Sequence, residues 1–232
     1  MHPEWLSNAY LVAAAPGGPA AFVDSGAPLE PLLKAAIEHN LRPTHLLTTH
    51  GDHDHVAGHA RLLEEFDLDV LAHPADGVEG ATDLDDHGIV EIGDLRIEAL
   101  HTPGHSPGHL ALLADGACFT ADVLFRDSVG GTRRAFDQVR TSVMDVLMKL
   151  PPETVVYPGH TDETTIGREW EENPFVRVWR GLEPEGTEKC RVAGEDGTLV
   201  VWSPDYDGKG KAWVRLADGR DVIIGGSAVE RS

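Results

Sequence analysis

Cysteine, methionine, aromatic and basic residues are all scarce in this chain of 232 residues. Two cysteines, Cys118 and Cys190, are too few for a disulfide framework and too isolated for a cysteine metal site. Both are expected reduced, with Cys118 a small core residue inside an apolar run. Only 19 Lys and Arg stand against 39 Asp and Glu, a net charge of −20, which repels phosphates and anionic lipid. A non-specific nucleic-acid or membrane binder is thereby excluded. Long hydrophobic runs are missing too. The longest weakly charged stretch, Ala9 to Phe22, is interrupted by Pro16, Gly17, Gly18 and Pro19 and lacks a basic leader, so neither membrane span nor targeting segment is expected. No repeat or low-complexity segment occurs. A cytoplasmic enzyme is the default expectation, with a homo-oligomer admitted. Its apolar content of 41% is enough for a core, and its length suits one substantial domain and a small second one.

Histidine is abundant instead, at 13 residues. Its placement depends on the order of elements. Asn8 to Ala15 and Ala20 to Asp24 read as a hairpin, and Pro28 to Asn40 as a helix with Ser25 available as a cap. Thr44 to Thr48 and Asp69 to Ala72 read as strands, with a helix from Ala57 to Phe66 between them that carries Ala60, Leu62 and Leu63 on its apolar face. Glu91 to Leu100 form paired strands turning at Gly93-Asp94, and a hairpin joins His109 to Leu113 with Ala117 to Thr120. A helix over Ala135 to Leu150 precedes a strand over Thr154 to Tyr157. Mixed sheets with helices outside make the class α+β. From Gly181 the helical period stops. Residues 1–180 are therefore read as the main domain and 181–232 as a small β-rich appendage.

The sharpest feature is Thr48-Thr49-His50-Gly51-Asp52-His53-Asp54-His55, which offers five potential metal ligands in six residues at the end of a strand. The bland alternative for this segment alone is a solvated polar loop. Three more segments repeat the theme: Thr102-Pro103-Gly104-His105 in a rigid turn, Phe119-Thr120-Ala121-Asp122 at a strand end, and Tyr157-Pro158-Gly159-His160 at another. Strand ends that each deliver His or Asp describe a metal site assembled by a sheet.

On these motifs the chain resembles the metallo-β-lactamase superfamily over roughly residues 5–175. The resemblance implies a four-layer αββα sandwich and two divalent metal ions. Carried over in order, His50, Asp52 and His105 would hold the first ion, Asp54, His55 and His160 the second, with Asp122 between them. The family has a second histidine where Asp52 stands. Either Asp52 ligates through oxygen, which keeps the other ligands in register, or the loop shifts and His53 ligates. A carboxylate there hardens the first site, so iron or manganese competes with zinc. Asp24 matches a position that orients a ligating imidazole, and it stands equally well to cap the helix after Pro28. His59, one turn beyond His55, is placed on an exposed helix face, with an approach to the site as the alternative. His45, His73, His101 and His109 are assigned to packing or to supporting the ligands, and His2, His39 and His87 to the surface.

Thr164-Thr165-Ile166-Gly167-Arg168-Glu169-Trp170, Glu172-Asn173-Pro174-Phe175 and Leu124-Phe125-Arg126-Asp127-Ser128-Val129-Gly130 look like the short bacterial glyoxalase II branch. The first two of these also read locally as a turn that caps a helix and its stop at Asn173-Pro174. That resemblance implies hydrolysis of a thioester such as an S-acyl thiol conjugate by hydroxide formed at the metals, with Asp54 as ligand and orienting catalytic group. Neither cysteine sits in a nucleophile motif. Arg133 and Arg134 are candidates for a substrate carboxylate, or a solvated charge pair. The helical C-terminal domain of long glyoxalase II enzymes is replaced by a β-rich tail, which leaves the thiol carrier open. In that tail Trp202, Tyr206 and Trp213 are read as core, with the lining of a partner or substrate edge as the alternative. A lactonase on the same site and an iron-dependent persulfide dioxygenase are the alternatives.

Overall fold

The computed structural model describes residues 6–231, so His2 lies outside the described residues. The chain divides into two compact units, one running up to His101 and adding Ser106–Ala121, the other joining Thr102–His105 to the chain from Asp122 onward.

In the first unit, strand β1 (Tyr10–Ala13) turns back into β2 (Pro19–Val23), pairing Tyr10 with Val23. Helix α1 (Glu30–Glu38) crosses over to β3 (Arg42–Leu47), which lies parallel to β2. The one-turn helix α2 (His53–Val56) and helix α3 (His59–Glu65) lead to β4 (Asp69–Ala72), parallel to β3, and β5 (Thr82–Asp83) completes a five-stranded sheet in sequence order. Parallel strands joined by helices must be covered on both faces. Accordingly Phe22, Leu46 and Leu62 are fully buried beneath Leu29 and Val70. An antiparallel meander comes next: β6 (Ile89–Ile92), β7 (Leu95–His101), β8 (Leu110–Ala114) and β9 (Ala117–Ala121). It packs on the first sheet through Tyr10 and Phe119, whose ring centroids are 5.1 Å apart.

The second unit opens with the two-residue strands β10 (Leu124–Phe125) and β11 (Ser128–Val129), paired with each other, and helix α4 (Phe136–Thr141). Strand β12 (Val155–Pro158) pairs with β13 (Thr164–Thr165), ahead of helices α5 (Ile166–Glu172) and α6 (Pro174–Trp179). The last sheet contains β14 (Glu188–Val192), β15 (Glu195–Ser203), β16 (Lys211–Leu216), β17 (Asp221–Gly225) and β18 (Val229–Arg231). A 3₁₀ turn at Gly226–Ala228 lets β18 return to pair with β14, so that Cys190, Val192, Leu199, Val214 and Ile224 close a core of their own. This sheet is fastened to the rest of its unit by reciprocal backbone hydrogen bonds between Thr132 and Ile223 of 2.7 and 2.8 Å.

Three local expectations differ from the structure. The helix expected over residues 135–150 is α-helical only to Thr141, then passes through a π turn (Ser142–Val146) and a 3₁₀ turn (Leu147–Lys149). Its fully buried residues Val139, Val143 and Leu147 are four apart, a spacing that an ideal turn of about 3.6 residues would rotate off the core face. Ser25 does not cap α1, which has Leu29 at its N-cap; the hydroxyl instead accepts from the Gly58 N–H at 3.1 Å. On α3 only Leu62 is buried, and Leu63 is 46% exposed.

Candidate metal centre

In the first unit, β3 ends at Leu47 and the buried Thr48, Thr49 and His50 continue its line. Asp24 organises the loop beyond them. Its backbone takes the left-handed conformation, φ 56°, which Asp tolerates better than most residues, and the residue is 3% exposed. The Thr49 N–H donates to Asp24 Oδ1 at 2.9 Å and the Thr49 hydroxyl to Oδ2 at 2.8 Å. His55 Nδ1–H donates to the same Oδ2 at 2.8 Å. Because the Thr49 proton is committed to Asp24, Thr49 Oγ1 acts as acceptor for His50 Nδ1–H, 3.0 Å away. One buried carboxylate thus sets both tautomers and turns both Nε2 lone pairs outward. Those nitrogens face carboxylates: His50 Nε2 lies 3.7 Å from Asp52 Oδ2, and His55 Nε2 lies 3.9 Å from Asp54 Oδ2. The two rings are 4.2 Å apart. Asp52 and the adjacent His53 are exposed, Asp54 is half-buried, and it is Asp52 that reaches His50. The loop can make this turn because Gly26 passes against it; a Cβ there would sit 1.4 Å from the Asp54 carbonyl oxygen.

In the second unit, Asp122 Oδ2 stands 3.7 Å from His105 Nε2 and 3.3 Å from His160 Nε2. His105 Nδ1–H donates to the Gly131 carbonyl at 3.0 Å, which again leaves Nε2 as the nitrogen with the lone pair. Gly130 crosses directly behind the aspartate, where a Cβ would meet the Asp122 carbonyl oxygen at 1.9 Å. Asp122 and His160 are buried and His105 is half-buried. Each unit therefore presents its own convergent set, four candidate residues in the first and three in the second.

Other side chains depart from their expected places. Asp24 is not a helix cap; it orients His50 and His55. His59 is half-buried, not on an open helix face, held between Ser25 Oγ at 2.7 Å and Thr48 Oγ1 at 2.8 Å. Burial pushes its pKa below the ordinary imidazole value, against the opposing pull of the Asp24 charge. His109 is buried with its ring 5.1 Å from His50, and His73 and His101 stack on each other at 4.3 Å. His39 and His87 are exposed, as expected. Arg133 and Arg134 are exposed and line a groove with Phe136, Gln138 and Arg220, which contains none of the seven candidate ligands. Cys118 is fully buried, and burial pushes its thiol up to about 12.

Two features are not signalled in the sequence. Asp76 accepts from the Ser106 hydroxyl at 2.7 Å and the Gly108 N–H at 2.8 Å, fixing the chain just after His105; nothing in its own segment points to this. Tyr206 lies in the loop joining β15 to β16, with its ring 3.9 Å from that of His160 and nearly parallel to it, at 10°. Its Asp-Tyr-Asp-Gly setting marks only a turn. Trp213 does pack in the core, 4.7 Å from Phe136, while Trp202 is 38% exposed beneath Arg231.

A family model described as the metallo-beta-lactamase superfamily matches residues 2–160. A hydroxyacylglutathione hydrolase of Anaeromyxobacter dehalogenans is 36% identical over 181 residues, covering 76% of this chain and 66% of its own. Among solved structures, TTHA1623 in a di-iron-bound form is 34% identical with a TM-score of 0.64, covering 75% of this chain and 97% of its own. ETHE1 from Myxococcus xanthus is 27% identical with a TM-score of 0.67, covering 79% of this chain and 89% of its own.

Proposed function

The chain belongs to the metallo-β-lactamase superfamily, with its α+β fold and a β-rich sheet added at the C-terminal end, and from that premise we propose that it is a metal-dependent thioesterase of the glyoxalase II kind. The superfamily is one of hydrolases that bind two divalent metals, and the donor set here suits such ions. His50, His55 and His105 each commit Nδ1 to the protein, so Nε2 is left with the lone pair a metal needs. By the order of the family motif, His50, Asp52 and His105 would hold one ion, Asp54, His55 and His160 the other, and Asp122 would serve both. The oxygen ligand Asp52 makes the first position harder than an all-imidazole one, which admits iron or manganese beside zinc.

When bound, the cations supply Lewis acidity, lowering the pKa of water towards neutrality and polarising the carbonyl to be attacked. The remaining work falls to side chains. Asp54, half-buried, accepts a hydrogen bond from the attacking water and aims it. Asp24 keeps His55 and His50 from rotating as charge develops. A thiolate leaves without a proton donor, so no general acid is required. No acyl-cysteine is formed: Cys118 is buried as a neutral thiol and Cys190 is enclosed in the C-terminal core. The observation that carries the reading is the tethering of both His50 and His55, through one buried aspartate, beside two outward carboxylates. The hydroxyacylglutathione hydrolase relative supports a thioester as substrate.

Metal analysis and steady-state assays test it. Metal-replete protein should hydrolyse S-lactoylglutathione or a related thioester. Asp52→Ala should lose one metal equivalent and reduce kcat/KM by about 100-fold, while Asp52→His should keep the fold and favour zinc. Full metal loading without thioester turnover would refute the proposal, with hydrolysis of acyl lactones instead pointing to a lactonase and oxygen consumption with a thiol persulfide to a dioxygenase. An Asp52→Ala variant with unchanged metal content would overturn the assignment of that residue.

A further inference from the structure

Residues 203–211, joining β15 to β16, are held far more firmly than a solvent loop requires. At their start, the buried Ser203 hydroxyl donates to Ser128 Oγ at 3.1 Å. Across their base, Lys211 Nζ pairs with Asp205 Oδ2 at 3.0 Å, with side chains only 8% and 3% exposed. Asp205 Oδ1 also accepts the Tyr206 N–H at 3.0 Å. Taking two charges out of water is costly, and a buried pair serves best to specify one geometry. Here the geometry specified is that of Tyr206. Its ring stacks face to face on His160, with Phe125 meeting both rings edge-on at 6.1 and 5.8 Å and the Lys211 ammonium 5.4 Å from the phenol ring.

We propose that this loop is a working part of the metal centre, in which Tyr206 is a positioning residue that fixes the plane of the His160 imidazole, and the Asp205–Lys211 pair is the clip that keeps it there. The inference rests on reading His160 as a ligand. A histidine whose ring can rotate loses affinity for its ion, and partners that orient ligating imidazoles contribute about 10- to 100-fold to metal binding. His105, His50 and His55 are oriented by hydrogen bonds to Nδ1. On His160 the Tyr206 ring lies flat, 3.9 Å away. The loop lies beyond residue 160, where the match to the family model ends.

Cobalt(II) provides the test, since its visible absorption reports the ligand geometry and its affinity can be measured by competition with a chelator. Tyr206→Phe keeps the ring and should match the wild-type spectrum and affinity. Tyr206→Leu should alter the spectrum and weaken one of the two cobalt ions by about tenfold. Asp205→Asn, which opens the clip while retaining the ring, should produce a smaller loss of the same kind and serves where Tyr206→Leu does not fold. His160→Ala should lose one cobalt equivalent. Wild-type affinity and spectrum in Tyr206→Leu, or in Asp205→Asn where the former is unfolded, would overturn the role of the loop if His160→Ala loses its ion. Undiminished cobalt in His160→Ala would instead overturn the reading of His160 as a ligand.

Discussion

Replacing Glu169 should cost more stability than any other single change on helix α5. The side chain is wholly buried, and four donors converge on it. Oε1 accepts from the Thr164 hydroxyl at 2.6 Å and from Arg168 Nη1 at 2.7 Å; Oε2 accepts from the Asp127 N–H at 2.8 Å and from Asn173 Nδ2 at 2.9 Å. The last two donors cannot turn away. One is backbone, and the Asn173 amide is fixed because its oxygen caps α6 through the Phe175 and Val176 N–H groups while its nitrogen also serves the Ser128 carbonyl. In Glu169→Gln the amide oxygen can serve those two donors, leaving its NH₂ against Arg168, while Thr164 can rotate to accept. The cost is one charge-assisted hydrogen bond to a partly exposed guanidinium, about 2 kcal/mol. Glu169→Ala strands the two fixed donors, takes an acceptor from Thr164 and Arg168 and leaves a void, about 4 kcal/mol. At about 2–4 °C per kcal/mol for a chain of this size, the Tm should fall by about 4–8 °C and 8–16 °C respectively. Glu172→Gln, whose 60% exposed carboxylate also meets Arg168, is the control and should stay within about 0.5 kcal/mol of wild type. Calorimetry and urea denaturation read all three. If Glu169→Ala stays within about 1 kcal/mol of wild type, or is no worse than Glu169→Gln, the convergent-acceptor account is wrong.

Asp24→Asn keeps a residue that accepts φ 56°, but an amide cannot serve both Thr49 donors and His55; metal affinity, measured by competition with a chelator, should fall by about 10- to 100-fold, and unchanged affinity would count against the orienting role. His59 contributes a pH dependence of stability. With its folded pKa below that of the unfolded chain, the unfolded state binds more protons, so its stabilisation is complete above about pH 6.5 and declines as the pH falls through that value towards the folded pKa. The stability of wild type relative to His59→Gln should therefore decrease from pH 7 to pH 5 in urea titrations; a constant difference would refute it.

Much was legible in the sequence because it was written locally. Paired strands, the turn at Gly93-Asp94 and the crossover helices follow from period and turn chemistry, and the four motifs from His50 to His160 carry their order in the chain. The loop between Thr48 and His55 reads as metal chemistry once the three later His and Asp segments are set beside it. Other features depend on residues distant in sequence, and no local pattern holds them. Asp24 reads as a cap or an anchor until Thr49 and His55, 25 and 31 positions away, are seen to converge on its two oxygens. His59 reads as exposed because its helix begins in a polar loop, yet Ser25 and Thr48 close over it. The Thr164–Phe175 segment reads as a turn and a helix stop, but only packing makes Glu169 the common acceptor for Asp127, Thr164, Arg168 and Asn173.

By itself, the sequence determined the class of fold, the family and the residue types available as ligands, since each is encoded in short-range periodicity or in motif order. Only the tertiary structure decided which nitrogen of each tethered histidine carries the proton, which carboxylate faces His50, and that a tyrosine from the loop between β15 and β16 lies on His160. Those are properties of hydrogen-bond geometry and ring packing between distant segments, and they exist only once the chain has folded.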